Sequence, residues 1–454
     1  MKIRYLLLLV FILPLFSFCT PEFSGNNFAV EQGEIDPTTT VVSPQEASAA
    51  VMSMLEGIDR NTKGKRSRSI KDIWATGSVS TKGGGDSHPL FYVLNFEGDN
   101  GFAIAAADRR VPPVICITEK GSLNMGDTLD NPGMVAMLSR IETEIKMLLG
   151  EPITCADGSI MEPDEYRQYI PLLRGSNFDP DSCDIHWSLS DIDSSKIKGV
   201  DVAARWDQGQ PFNMQCTLIN GTHALAGCVP VAVGQIMYYH RKNANYNGHY
   251  YDWDIMQDII NTSSWANSPS AWPLVQHLLA DLGLPENLNA SPGTQKTTCN
   301  TANAPRTFVN FGYRSGGVMS DYDFDSITTE VDSLFPLIIR GDRIRVVRYV
   351  LDIPVDTVTS GHTWIADQTM HTLCHMWVVH KRTHQLVYHT MVYRDFVRCN
   401  WGNDGKNHGF FLSGNFNFKE PLHIPTKATS DTIDVPSLDT IFAYNLKMIT
   451  GIRK

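Results

Sequence analysis

Apolar positions recur every third or fourth residue in three stretches of the chain. Residues 44–58 place Ala47, Val51, Met54 and Leu55 on one face. Residues 134–149 carry a stripe of Met134, Met137, Leu138, Ile141, Ile145, Leu148 and Leu149. Residues 227–240 bring Val229, Ala232, Val233, Ile236 and Met237 together. Each pattern predicts an amphipathic helix with a buried side. Residues 272–284 read as a further helix, stopped by Gly283 and Pro285, and 306–313 as a helix leading into a turn. Elsewhere the period falls to two. Residues 91–96 and 102–107 alternate around Glu97-Gly98-Asp99-Asn100-Gly101, which predicts a hairpin. Residues 250–253 read as a short strand. From Pro336 onward strand-like runs follow one another, at 336–339, 343–351, 363–366, 376–380, 386–393, 409–412 and 442–449.

The stretches between these elements divide the chain. Residues 23–43, rich in Gly, Asn, Pro and Thr, read as a tether. Residues 151–197 are polar and carry Pro152, Pro163, Pro171 and Pro180, which reads as a connector open to proteolysis, with Arg167 and Arg174 inside it. The expected division is a signal segment at 1–22, the tether, a small α+β unit with its connector at 44–175, and a second unit at 176–454. Within that second unit helices come first and antiparallel strands afterwards. The fold class is therefore α+β, with two packed lobes and a cleft between them.

Charge and targeting narrow the function classes. A net charge of −11 argues against a nucleic-acid binder, which should show a basic face. Lys2 and Arg4 precede an apolar run over residues 6–18, too short to span a bilayer and of the length of a secretory signal. The chain is expected to be exported. Cys19 after Phe16-Ser17-Phe18 loosely resembles a lipoprotein cleavage box, with Phe18 bulkier than the small residue normal there, so release and lipid anchoring both stay open. Nine cysteines are spread without a Cys-x-x-Cys pair, which allows one or two disulfides and implies no disulfide framework.

The helix at 227–240 opens on Gly227-Cys228, with Pro230 in its first turn. Unpaired N–H groups and the positive end of the helix dipole face a residue in that position and favour thiolate over thiol. A cysteine nucleophile further needs an imidazole, a group to orient it and a donor for the oxyanion. His362 follows a glycine at the mouth of a strand. Asn400-Trp401 lie in Cys399-Asn400-Trp401-Gly402, and Gln208 lies in the polar loop before the helix. The ordinary alternative for Cys228 is a small core residue.

The blocks 206–213, Gly227-Cys228-Val229, Ala232 through Gln235-Ile236-Met237 to His240, Gly361-His362, Asn400-Trp401-Gly402 and Gly409-Phe410-Phe411 occur in an order that resembles the streptopain family of secreted papain-like cysteine peptidases. Gly101-Phe102 and residues 108–113 resemble the inhibitory propeptide of that family. The resemblance implies a papain-like two-lobed catalytic domain behind a small α+β prodomain. It makes Cys228 the nucleophile and His362 its imidazole partner. Gln208 and the Cys228 N–H form the oxyanion hole, Asn400 orients His362, and Trp401 shields that contact from water. No cofactor or metal is implied. The partners are protein or peptide substrates and the chain's own propeptide.

Two departures stand out. Asn403-Asp404 replace the family's tryptophan-glycine pair. The His362-to-Asn400 separation is longer than in streptopain, which places an extra hairpin over residues 369–395 that is expected to overhang the site. It carries His371, His375, His380, His384 and His389, read as scattered strand histidines and not as a metal site. The competing functions are an inactive binding or inhibitor protein on a peptidase scaffold and a transglutaminase-like acyltransferase. The maturation cut is expected between Arg167 and Lys198, with the bond after Arg174 as the first choice. His240, ending the Cys228 helix, is expected to suit the dipole there as a cation.

Overall fold

The structure is a computed structural model and describes residues 39–61, 67–79, 88–155, 159–166, 182–190, 196–266, 269–341, 348–356, 361–413 and 446–454. The signal segment, most of the tether and Arg174 lie outside the described residues.

The three amphipathic stripes are helices. Pro44–Asn61 buries Ala47, Val51, Met54 and Leu55. Pro132–Leu149 is capped by Asn131, whose side chain accepts from the N–H groups of Gly133 and Met134 at 3.0 and 3.1 Å. Cys228–His240 is entered through Gly227 at φ 96, a backbone conformation that favours glycine. Trp272–Leu282 and Ala304–Asn310 complete the helical lobe beside it. Phe324–Asp332 is a helix that the apolar pattern did not disclose, because only Ile327 and Val331 are buried along it.

Among the described residues, twelve strands join in one sheet. Four come from the N-terminal unit: Ile70–Val79, His88–Phe96, Phe102–Ala106 and Val114–Thr118. The last of these pairs antiparallel with Gly409–Ser413, with Ile117 opposite Phe410. The order then runs through Leu386–Asn400, His362–His380, Leu337–Gly341 and Lys447–Arg453 to Ser315–Asp321. Side chains alternate across this sheet and so feed two cores. Trp364 and Ala366 share one core with Trp401 and with helices Pro44–Asn61 and Pro132–Leu149. Ile365, Ile338 and Ile449 share the other with the Cys228 helix. The α+β class and the helical and β lobes are as expected. The N-terminal unit, however, extends the sheet of the second unit and shares one of its two cores.

The expected loose connector is partly ordered. Cys183–Leu189 and Lys196–Gly199 are strands on the edge of His362–His380. Cys183, Ile185 and Trp187 alternate, but the run is short and stands among prolines. The separate strand runs at 363–366 and 376–380 are one strand of 19 residues, because the polar residues between them, Thr369 and Thr372, are themselves buried.

His240 is corrected too. Burial first, then Lys454 and Arg453, pushes its pKa down to about 4, so it is neutral; the Lys454 ammonium donates to the His240 carbonyl at 2.8 Å and is the cation at that helix end. All eight described cysteines are free thiols. No helix among the described residues is long and apolar enough to cross a membrane.

Candidate active site

Cys228 stands half-buried at the first turn of its helix. Burial opposes its ionisation. The hydrogen bond and charge of His362, with the backbone N–H groups of Thr363 and Val229, outweigh that cost and hold the thiol below its ordinary pKa. His362 moves the opposite way. Burial would lower its pKa, but the Cys228 sulfur and the Trp401 carbonyl raise it. The shifts point to one proton distribution, thiolate beside imidazolium.

The ring is oriented by backbone. His362 Nε2 lies 2.8 Å from the Trp401 carbonyl oxygen. A carbonyl only accepts, so Nε2 carries the proton and Nδ1 is the nitrogen left for the sulfur. Trp401 is fully buried. Its Nε1–H donates to the Asn407 carbonyl at 2.8 Å, and its ring lies 5.0 Å from Trp364 and 5.1 Å from Phe411.

The Asn400 expectation needs correction here. Its amide donates to the Ala204 carbonyl at 2.8 Å and its Oδ1 accepts from the Gly402 N–H at 3.3 Å, with no bond to His362. Gln235, on the Cys228 helix, donates to the same Ala204 carbonyl at 3.0 Å. Asn400 thus ties the β lobe to the Cys228 helix, and its sequence neighbour presents the acceptor. A backbone acceptor leaves no mark in a sequence, which is why the side chain seemed the candidate.

Gln208 is held near the start of the Cys228 helix through its backbone. Its carbonyl accepts from the Ala226 N–H at 2.8 Å, and Asp207 accepts from the Gly209 N–H at 2.7 Å. The Gln208 side chain is half-buried and has no hydrogen-bond partner among the described residues. Trp206 closes the base of this loop against Gly234 of the helix, where an added Cβ would come within 2.9 Å of the indole.

The N-terminal unit reaches this site. Leu129 donates its N–H to the Pro354 carbonyl at 2.8 Å and accepts from the Asp356 N–H at 3.0 Å. This pairing leads directly into the first turn of Pro132–Leu149. There Gly133 lies against the His362 ring: an added Cβ would stand 2.8 Å from His362 Cδ2 and from Trp401 Cε3. Charges reinforce the contact. Glu119 accepts from Arg398 Nε and Nη2 at 2.6 and 2.9 Å. Lys120 lies 3.6 Å from the Asp404 carboxylate, and Lys406 donates to Asp130 at 2.9 Å. Asp404 also accepts from the Thr262 N–H at 2.7 Å. The Asn403-Asp404 departure therefore joins three parts of the molecule.

Glu119 gives a signed pH prediction. Burial alone would raise its carboxyl, but Arg398 dominates and holds it at about 2, below its ordinary 4.5. Its contribution is present above pH 4.5 and is lost as pH falls toward 2. Glu119→Gln is expected to destabilise the full chain by about 2 kcal/mol at pH 7. The difference in thermal midpoint should shrink below pH 4.5. An equal difference at pH 7 and pH 3 would mean that the charge plays no part.

The long hairpin leads away from the cleft. From His362 to Cys374 the strand advances roughly 40 Å at about 3.3 Å per residue, and beyond it the hairpin is edged by Cys183–Leu189, whose Trp187 N–H donates to the Arg109 carbonyl. It does not overhang Cys228. His371 bonds Asp395, His375 stacks on His389, and His380 accepts from the Arg382 and Thr383 N–H groups. Among the described residues no three His, Cys, Asp or Glu side chains converge on a metal position.

Comparison with known proteins bears on both halves. Residues 206–411 match the model of the Peptidase C10 family, and residues 39–145 match that of the Spi protease inhibitor. Over 174 residues, 38% of the chain, the sequence is 30% identical to the thiol protease/hemagglutinin PrtT of Porphyromonas gingivalis; the match spans 17% of that longer protein. Among solved structures, a fragment of Prevotella intermedia prointerpain A is similar with a TM-score of 0.46 at 15% identity, covering 86% of this chain and 99% of that one. The active interpain A cysteine protease of the same organism gives a TM-score of 0.36 at 15% identity, covering 59% and 100%.

Proposed function

Residues 206–411 belong to the Peptidase C10 family, and on that premise we propose that the chain is an exported cysteine endopeptidase made as a zymogen. The observation that carries this reading is the Cys228–His362 pair at a helix N-terminus, with the two pKa values shifted in opposite directions. The Cys228 thiolate attacks the scissile carbonyl. The Gln208 amide and the Cys228 N–H receive the oxyanion. His362 gives its Nδ1 proton to the departing amine, leaving an acyl-enzyme, and then draws a proton from the water that hydrolyses it. Asn403-Asp404 lends no support to an inactive scaffold, since Asp404 has structural partners in Thr262 and in Lys120 of the N-terminal unit.

The N-terminal unit acts as the inhibitory prodomain, with Gly133 against His362 as its point of contact. Cys183–Leu189 edges His362–His380, and the maturation cut is sought upstream of it, in residues 167–181. The substrates are proteins or peptides. Attachment to the cell surface through Cys19 and free release remain two forms of the same export.

The test is incubation of the purified full chain with reductant, followed by intact mass and casein hydrolysis. The expected result is a cut between residues 167 and 182, together with hydrolysis that iodoacetamide stops by modifying Cys228. A chain freed of its prodomain by an added protease and still inert toward casein would defeat the proposal. Gln208→Ala should slow acylation by roughly a hundredfold or more, about 3 kcal/mol of transition-state stabilisation, with KM little changed. An unaltered kcat would remove Gln208 from the oxyanion hole.

A further inference from the structure

A second thiol lies in the segment packed beside Cys228. The segment from Thr297 to Thr301 is pinned on both sides of the nucleophile. At one end Thr297 packs on Gly227, where an added Cβ would be 3.2 Å from Thr297 Cγ2, and its hydroxyl donates to the Leu225 carbonyl at 2.6 Å. At the other end the Thr301 hydroxyl bonds that of Thr363 at 2.8 Å, next to His362. Cys299 is midway, about 7 Å of chain from either anchor. Cys216, Cys228 and Cys299 are half-buried with the prodomain in place, whereas Cys116, Cys155, Cys183, Cys374 and Cys399 are buried; of the first three, Cys299 is the one in the segment pinned beside Cys228.

We propose that Cys299 is a resolving cysteine for Cys228, closing a reversible disulfide across the cleft when a hydroperoxide oxidises the nucleophile. This rests on Cys228 being the reactive thiolate of the proposed peptidase. The step balances simply. The Cys228 thiolate attacks a peroxide oxygen; with one proton, hydrogen peroxide leaves one water and Cys228 sulfenic acid. The Cys299 sulfur then attacks the sulfenic sulfur and forms the S–S bond. The hydroxide expelled leaves as water with the Cys299 proton. A dithiol reductant restores both thiols by exchange.

The local electrostatics suit that order of events. Burial, and then the Cys228 charge, push the Cys299 thiol up to about 12, so it does not compete for the oxidant. Oxidation of Cys228 removes the second of those causes, and the emptied His362 can accept the Cys299 proton. A reactive nucleophile on an exported chain otherwise moves irreversibly up the oxidation ladder to sulfinic and sulfonic acids. The geometry asks only for a bridge of ordinary Cα separation between a helix start and the loop packed against it.

The experiment is peptide mapping of the reduced full chain after treatment with a few equivalents of hydrogen peroxide, without added reductant. The expected product is a linked peptide joining Cys228 to Cys299 that disappears with dithiothreitol. In Cys299→Ser the same treatment should carry Cys228 to sulfinic acid, and the fraction of Cys228 recovered as thiol should fall to about a tenth of that in the parent chain. Equal recovery in the two chains, with no linked peptide, would overturn the proposal. The readout is a mass and not a rate, so it stands apart from the peptidase assay. If Cys228 stays a thiol under peroxide while Cys299 is modified, the thiolate assignment itself fails.

Discussion

Cys228→Ala and His362→Ala are each expected to abolish peptide-bond hydrolysis, lowering kcat/KM by about ten-thousandfold or more. Neither role has an understudy. Cys299, the thiol in the segment packed beside Cys228, is pushed up to about 12 and is protonated at neutral pH. The hairpin histidines have partners of their own and lie far along the strand. Because the two groups act as a unit, the double variant should be no slower than either single one. Stability should change little at Cys228, by about 1 kcal/mol, since the volume lost is small. The parent enzyme should show a bell-shaped pH profile. Rate is lost on the acid side as the lowered thiol protonates, and on the basic side as the raised imidazolium deprotonates. Measurable turnover in purified Cys228→Ala, checked by mass for wild-type contamination, would refute the nucleophile assignment.

Asn400→Ala separates the observed arrangement from the expected one. An orienting side chain should cost almost as much as the histidine when removed. Here the Trp401 carbonyl holds the ring, and Asn400 acts through Ala204 and the lobe interface. Its loss should appear mainly as reduced thermal stability, with kcat down by roughly tenfold, because the orientation of the ring survives in part.

How legible each part was follows from where its information resides. The elements that carry Cys228 and His362 were readable because local signs mark them: Gly227 and Pro230 at a helix start, Gly361 before a strand. The helices at Pro44–Asn61 and Pro132–Leu149 were equally plain, since an apolar stripe is a local property. Other features depend on residues hundreds of positions apart. The pairing of Ile117 with Phe410 makes one sheet of two units, and no periodicity in either strand names its partner. The Glu119–Arg398 pair is hidden for the same reason. The strand at Cys183–Leu189 is ordered by the long hairpin it edges, a tertiary cause that overrides the proline-rich surroundings. Gly133 was invisible as a functional residue: within its stripe it is a small residue near a helix start, and only the ring facing it gives it meaning.

Gly133→Val is accordingly expected to weaken latency. The first turn of Pro132–Leu149 has no room for a Cβ, let alone a branched one, against His362 and Trp401. Nor can the helix withdraw freely, because Leu129 is bonded on both sides to the Pro354–Asp356 segment and Asn131 caps the turn. Trp401 is packed between Trp364 and Phe411 and cannot yield either. Overpacking of this kind costs about 1–3 kcal/mol, which falls on the contact between prodomain and site. Release of the prodomain should therefore quicken by roughly tenfold to a hundredfold, and the precursor's thermal midpoint should drop. An enzyme processed as proposed lacks that helix, so its kcat and KM should equal those of the parent. This last measurement distinguishes a latch from a general folding defect. Parent-like processing and an unchanged midpoint would show that the helix does not bear on the ring; impaired kinetics in the processed enzyme would show that residue 133 remains part of it.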